Sequence, residues 1–198
     1  MYTLLKQMQV RERLIQRNLK VFTGQDFQRA FESTPTSTKY FLEKFAEEGL
    51  FLRIKRGVYA LKTDQPAEEE IANALYKPSY ISFEYALAYW SILPEMSYQV
   101  TSATTKPTRT FTIGENGTYS YFTIKKEAYT GYSLQKKESK FYLIADPEKA
   151  LSDYLYYVSI GHRSMNTRFD MSGINKEKLL EYAKLYKRIK VISLVNEL

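Results

Sequence analysis

Apolar residues recur at helical spacing through the first fifty positions and then switch to strict alternation, and that change of period predicts the N-terminal architecture. Leu4, Leu5, Met8, Leu14 and Ile15 stand among basic residues between Leu4 and Asn18 and predict a first helix. Thr23 precedes a short amphipathic run, Gly24 to Phe31, whose inner face is Phe27, Ala30 and Phe31. Ser33-Thr34-Pro35-Thr36 then makes a tight turn into a third run, Ser37 to Glu48, with Phe41, Leu42, Phe45 and Ala46 inside and Gly49 closing it. Polar caps precede both runs, and a capping role for Thr36 is the bland alternative to its place on the outer face of the third helix. Pro35 sits in a first turn that has no amide hydrogen bond to lose, and Gly49 suits a left-handed terminus. Leu50 to Leu61 changes to a period of two, with Phe51, Arg53 and Lys55 on one side and Leu52 and Ile54 on the other. Arg56-Gly57 breaks the run into a hairpin. Helix, helix, turn, helix and two-stranded wing is the order of a winged helix-turn-helix.

Lys62 to Ala67 reads as a polar linker, so the domains are expected at 1–62 and 67–198. Glu68-Glu69-Glu70 opens a helix running to about Tyr76, read as a solvated acidic cap; consecutive helical residues diverge, which argues against a metal cluster. Ser79 to Ser82 is extended, and Ser82 is expected to cap an apolar helix through Phe83, Ala86, Leu87, Tyr89 and Trp90. Alternation returns over Gln99 to Thr105, Arg109 to Ile113 and Tyr119 to Lys125, with Asn116-Gly117 as a tight hairpin, and predicts an antiparallel sheet. Its aromatics are expected to pack the sheet, with a base-stacking platform as the alternative. Phe141 to Ala145 is a short strand. Asp146 and Pro147 start a helix ending near Gly161, Asn175 starts another to about Lys187, and the apolar tail Ile189 to Leu198 docks. The fold class is therefore α+β, a winged helix-turn-helix followed by a mixed α/β domain with an antiparallel sheet.

The net charge of +7 on 198 residues sharpens this picture, because residues 1–62 hold twelve Lys or Arg against six Asp or Glu. The surplus lies on the module whose shape suits DNA, although a basic patch also attracts acidic proteins and membranes. With no cysteine and a single histidine, His162, thiol nucleophiles, thiolate zinc sites and multi-imidazole sites are excluded. Charges at Lys6, Arg11, Glu12 and Arg13 interrupt any signal-peptide core, so a cytoplasmic location is expected.

The candidate DNA-binding residues are Thr36, Ser37, Lys39, Tyr40 and Lys44 on the outer face of the third helix, beside Glu43, and Arg53, Lys55 and Arg56 on the wing. Ser37, Lys39 and Tyr40 lie near the helix start, the part that enters a major groove. The bland alternatives are a solvated helix face and a charged strand edge that blocks unwanted pairing. Asp146, Glu148, Lys149 and Asp153 invite comparison with a nuclease cluster. Such acids and lysine usually come from neighbouring strands, whereas these belong to one helix start, so capping is the better reading.

Phe22-Thr23 with Asp26-Phe27, Gly49-Leu50 with Arg53-Ile54 and Arg56-Gly57-Val58-Tyr59, Pro78-Ser79-Tyr80-Ile81-Ser82 with Ala86-Leu87, and Pro147-Glu148-Lys149-Ala150-Leu151 with Asp153 occur in this order. Together they resemble the AbiEi family, antitoxins of type IV abortive-infection toxin-antitoxin systems. The resemblance implies a winged helix that binds and represses the operon's own promoter; because one module reads only a few base pairs, a monomer or dimer on inverted repeats is expected. It also implies a C-terminal domain that counters a nucleotidyltransferase-like toxin, in phage defence, with no cofactor and no enzymatic activity. The family's basic surface falls here on Lys39, Lys44, Arg53, Lys55 and Arg56. Two alternatives are a protein-interaction adaptor built on a winged helix, and a metal-dependent nuclease using Glu148, Lys149 and Asp153.

Overall fold

The computed structural model describes residues 6–95, 97–113, 117–137 and 140–198, so Leu4, Leu5 and Asn116 lie outside the described residues. Contacts divide it into two compact units: 1–75 with 136–141, and 76–135 with 142–198.

The first unit contains α1 (Gln7–Gln16), β1 (Val21–Thr23), α2 (Gly24–Phe31), α3 (Pro35–Glu47), β2 (Phe51–Lys55), β3 (Val58–Leu61) and α4 (Glu68–Leu75). Strands run in the order β1-β3-β2, all antiparallel, which with the three helices is the winged helix-turn-helix arrangement. Val10, Leu14, Phe22, Phe27, Phe41, Leu42, Phe45, Phe51 and Tyr59 form one core. Edge-on ring contacts of Phe51 with Phe22 at 5.0 Å and Phe45 at 5.6 Å tie the sheet to α3.

The helix starts follow the sequence closely, with one shift. Thr23 and Asp26 make a reciprocal capping box at α2. At α3 the cap is Thr34, not Thr36: its hydroxyl accepts from the Ser37 amide at 3.2 Å, and Pro35 occupies the first turn. The expected alternation in β2 also fails. Register shifts between Arg53 and Lys55, so Phe51 and Ile54 are both buried while Leu52 and Arg53 both face out. A β-bulge adds one residue to one strand, and side chains beyond it change face.

α4 groups with the first unit although the sequence places a boundary before it. Glu70 is buried, not solvated: its carboxylate accepts from the amides of Ala67 at 2.9 Å and Phe141 at 3.1 Å. At the other end of α4 the Lys55 ammonium donates to the Leu75 carbonyl at 2.5 Å.

The second unit is built on a six-stranded sheet ordered β6-β7-β5-β4-β9-β8, with β4 (Ser79–Ile81), β5 (Gln99–Thr104), β6 (Arg109–Thr112), β7 (Thr118–Thr123), β8 (Tyr132–Lys137) and β9 (Lys140–Ala145). The expected antiparallel pairing holds for β6 with β7; β4 also pairs antiparallel with β5, while β5–β7 and β4–β9 are parallel. The sheet is therefore mixed. Its helices are α5 (Phe83–Tyr89), α6 (Pro147–Ser159), α7 (Lys176–Leu185) and α8 (Ile189–Asn196). α6 packs against α5, α7 and α8, and the apolar tail docks through Val191, Leu194 and Val195.

A caged arginine fixes the region between α5 and α6. Arg163 forks onto both carboxylate oxygens of Glu84, at 2.5 and 3.0 Å, and lies over the rings of Phe122 at 4.2 Å, Phe83 at 4.6 Å and Tyr157 at 4.9 Å. Phe83 itself has a φ of 59°, a left-handed conformation that costs an aromatic residue energy and persists because the surroundings hold it.

Candidate nucleic-acid interface

Three groups of residues matter: the outer face of α3, the wing, and the polar cluster where the two C-terminal sequence motifs fall.

On α3 the inward residues hold the helix so that the opposite face is free. Thr38, Phe41, Leu42 and Phe45 are buried, and Ser33 and Thr38 share a hydroxyl hydrogen bond of 2.6 Å that fixes the turn before the helix. Thr36 is exposed and Ser37 half-buried. Lys39 is 78% exposed and only 4.0 Å from Glu43, a loose pair that water screens. Tyr40 is 56% exposed, and the Lys44 ammonium lies 5.9 Å from its ring centre and 3.8 Å from Glu48. The helix thus presents a hydroxyl-rich start, a projecting cation and an aromatic ring within two turns.

On the wing the three cations separate. Arg53 and Arg56 are exposed. Lys55 is turned inward by the bulge and bonded to the Leu75 carbonyl, so it ties the wing to the C-terminal end of α4. The simple alternation that grouped Arg53 with Lys55 could not show this.

α2, α3 and the wing turn enclose a shallow groove of about 310 Å³, lined by Gln25, Gln28, Thr38, Lys39, Leu42, Gly57 and Tyr59 among others. Gly57 has a φ of 81°, the left-handed turn that a hairpin of this length requires. Other basic residues nearby are engaged: Arg11 makes a two-pronged pair with Asp64, at 2.7 Å on each oxygen, and Arg13 lies 5.3 Å from the Phe31 ring. The Arg11 hydrogen bond holds the Asp64 carboxyl below its ordinary pKa.

The second constellation corrects the capping interpretation of the later motifs. Ser82 does not cap α5, and Asp146 does not cap α6 with its side chain. Asp146 instead accepts from Tyr182 and Lys178, each at 3.1 Å. The Ser82 hydroxyl donates to Asp153 Oδ2 at 2.7 Å, the Tyr80 hydroxyl donates to the same oxygen at 3.0 Å, and Tyr186 and Lys149 both donate to Oδ1. Lys149 and Asp153 are both 0% exposed. Burial lowers the Lys149 pKa, opposed by Asp153, and burial beside that carboxylate pushes Tyr80 and Tyr186 well above the usual tyrosine range. Ser79 to Ser82 and Pro147 to Asp153, sixty-odd residues apart, therefore meet in one sealed network. A nuclease would need this carboxylate and lysine open to a phosphodiester and a metal, and neither reaches solvent. Glu148 lies apart, accepting from the Asn175 amide at 3.1 Å and paired with Lys178. No group of three acidic or imidazole side chains suited to a metal occurs among the described residues.

The three helices and the β1-β3-β2 sheet define the first unit as a winged helix-turn-helix module. Residues 12–62, from within α1 to the end of the wing, match the model of a family described as transcriptional regulator, AbiEi antitoxin. The resemblance drawn from the sequence is thereby upheld over this segment, while the motifs at 78–87 and 147–153 fall outside it. No curated protein matches the chain. No helix among the described residues is long and apolar enough to cross a membrane.

Proposed function

We propose that the protein is a sequence-specific, double-stranded-DNA-binding repressor of its own promoter and the antitoxin of a type IV toxin-antitoxin pair. The observation that carries the DNA reading is the outer face of α3, where Thr36, Ser37, Lys39 and Tyr40 stand clear of the core with Arg53 and Arg56 exposed on the adjoining wing. With α3 in a major groove, Ser37 and Tyr40 approach base edges while Lys39, Arg53 and Arg56 reach phosphates of the backbone. Repression is occlusion of polymerase. One such module reads only a few base pairs, so two copies on an inverted repeat supply the specificity. The antitoxin role rests on the family match of the N-terminal module and on the resemblance of the later motifs; it assigns the C-terminal unit to a nucleotidyltransferase-like toxin. The protein acts in the cytoplasm, without a cofactor and without catalysing a reaction.

A mobility-shift titration on the DNA immediately upstream of the gene, against a scrambled duplex at two salt concentrations, tests this function. Selective binding that weakens steeply with salt is expected, and Lys39→Ala with Arg56→Ala should lower the salt slope by about one unit per lost phosphate contact. Equal binding to both duplexes would refute the repressor reading and favour an adaptor that uses the winged helix on a protein.

A further inference from the structure

The groove between α2, α3 and the wing turn carries two residues that neither the sequence pattern nor the family match singles out. Gln25 and Gln28 stand three apart on α2, hence on one face of that helix, and both line the groove opposite Lys39 and Gly57. Its floor is closed by Thr38, Leu42 and Tyr59, all buried, so the carboxamides cannot fold into the core. Gln25 is exposed and Gln28 half-buried. Among the described residues neither carboxamide has a hydrogen-bond partner within the protein. Asp26, between them, is held by Thr23 in the capping box and lines a separate surface hollow with Arg17 and Arg29.

We infer that Gln25 and Gln28 are specificity-determining contacts to DNA, hydrogen-bonding base edges of the duplex that lies across α3 and the wing. This rests on the DNA-binding function proposed above and adds a division of labour to it. Lys39, Arg53 and Arg56 supply charge, which is blind to sequence; the two amides supply paired donors and acceptors, which match the N6 and N7 edge of adenine. The groove makes this possible because one concave surface joins the recognition helix, the wing turn and the exposed face of α2.

The test uses the full chain and fluorescence anisotropy on the upstream duplex and its scrambled counterpart, at two salt concentrations, for wild type, Gln25→Ala/Gln28→Ala and Lys39→Ala/Arg56→Ala. The glutamine variant should lose about tenfold or more of its preference for the upstream duplex with its salt slope unchanged, since neutral groups release no counterions. The cationic variant should lose affinity for both duplexes and show a shallower slope. Gln25→Glu/Gln28→Glu places carboxylates in the same positions and should weaken binding to both duplexes beyond the alanine variant. Circular dichroism melts that match wild type show that the module remains folded. Unchanged selectivity in the glutamine variant, with wild-type selectivity present and the cationic variant impaired, overturns this inference alone. Absence of selective binding by wild type overturns it together with the function on which it rests.

Discussion

Replacing Asp153 by Asn should destabilise the second unit by an amount that shrinks as pH rises. Asn is isosteric, so no cavity forms, and its amide can face the Tyr80 and Ser82 hydroxyls while its oxygen still accepts from Lys149 and Tyr186. What disappears is the carboxylate bonded to the fully buried Lys149 ammonium. Removing one partner of such a pair costs about 3–5 kcal/mol. A separate ceiling comes from letting Lys149 shed its proton: from the ordinary lysine value of 10.5 down to pH 7, that costs about 5 kcal/mol at about 1.4 kcal/mol per pH unit. The two figures agree, so the variant is expected to fold with Lys149 neutral. The unfolded chain then binds one more proton than the folded one between pH 7 and the lysine pKa. Stability of the variant should accordingly rise relative to wild type by about 1.4 kcal/mol per pH unit, recovering roughly 3 kcal/mol by pH 9. Lys149→Met should cost less, about 2 kcal/mol, because the remaining carboxylate keeps three hydroxyl donors. Urea denaturation followed by fluorescence of Trp90, the sole tryptophan, measures this unit selectively: Trp90 donates its indole N–H to the Ala145 carbonyl at 2.9 Å inside it. A cost for Asp153→Asn that does not change between pH 7 and 9, or that is smaller than the cost of Lys149→Met, would refute the account of the network.

Gly131→Ala should destabilise the same unit by about 2–4 kcal/mol, since a left-handed backbone and an overpacked contact both oppose the methyl group. Gly131 has a φ of 73°, and the new carbon would lie 2.6 Å from the Tyr182 ring, which its hydroxyl anchors to Asp146; the Trp90 urea transition reads the loss, and a cost below 1 kcal/mol would contradict it. Thr34→Ala should cost about 1 kcal/mol by removing the α3 cap. That loss should show in hydrogen exchange of the α3 amides and leave the Trp90 transition unmoved, because Thr34 lies in the other unit. Above pH 10 the second unit should lose stability quickly. Burial raises the pKa of Tyr80, Tyr121 and Tyr186, so the folded protein keeps protons that the unfolded chain releases, at about 4 kcal/mol per pH unit for the three together. A flat alkaline profile between pH 10 and 11 would show that these hydroxyls are not buried as described.

How far the molecule was legible in its sequence depends on the range over which each device acts. Thr23, Pro35 and Gly49 signal helix ends through bonds to neighbours a few residues away, so α2 and the core faces of α2 and α3 follow from local pattern. The winged helix follows from those elements in order. The bulge at Arg53 to Lys55 was not legible, because the alternating residue types on either side are compatible with both registers; only pairing with Tyr59 and Val58 shows which cation turns inward. Ser82, Glu70 and Asp146 fit the local pattern of helix starts equally well, yet two of them send their side chains to partners more than thirty residues away, and Glu70 also reaches Phe141. A capping residue and a network residue share a composition, and the difference lies in what the fold brings opposite them. β8 gives no strand signal, because Tyr132 to Lys137 carries three charged or polar residues in its later half, as an edge strand does. The same logic bears on the candidate site. Lys39 and Arg56 were legible as charge on predicted surfaces, whereas Gln25 and Gln28 are neutral, common on any exposed helix, and become conspicuous only when the groove places them beside the recognition helix. Sequence pattern therefore exposes the residues that would hold DNA more readily than those that would choose it.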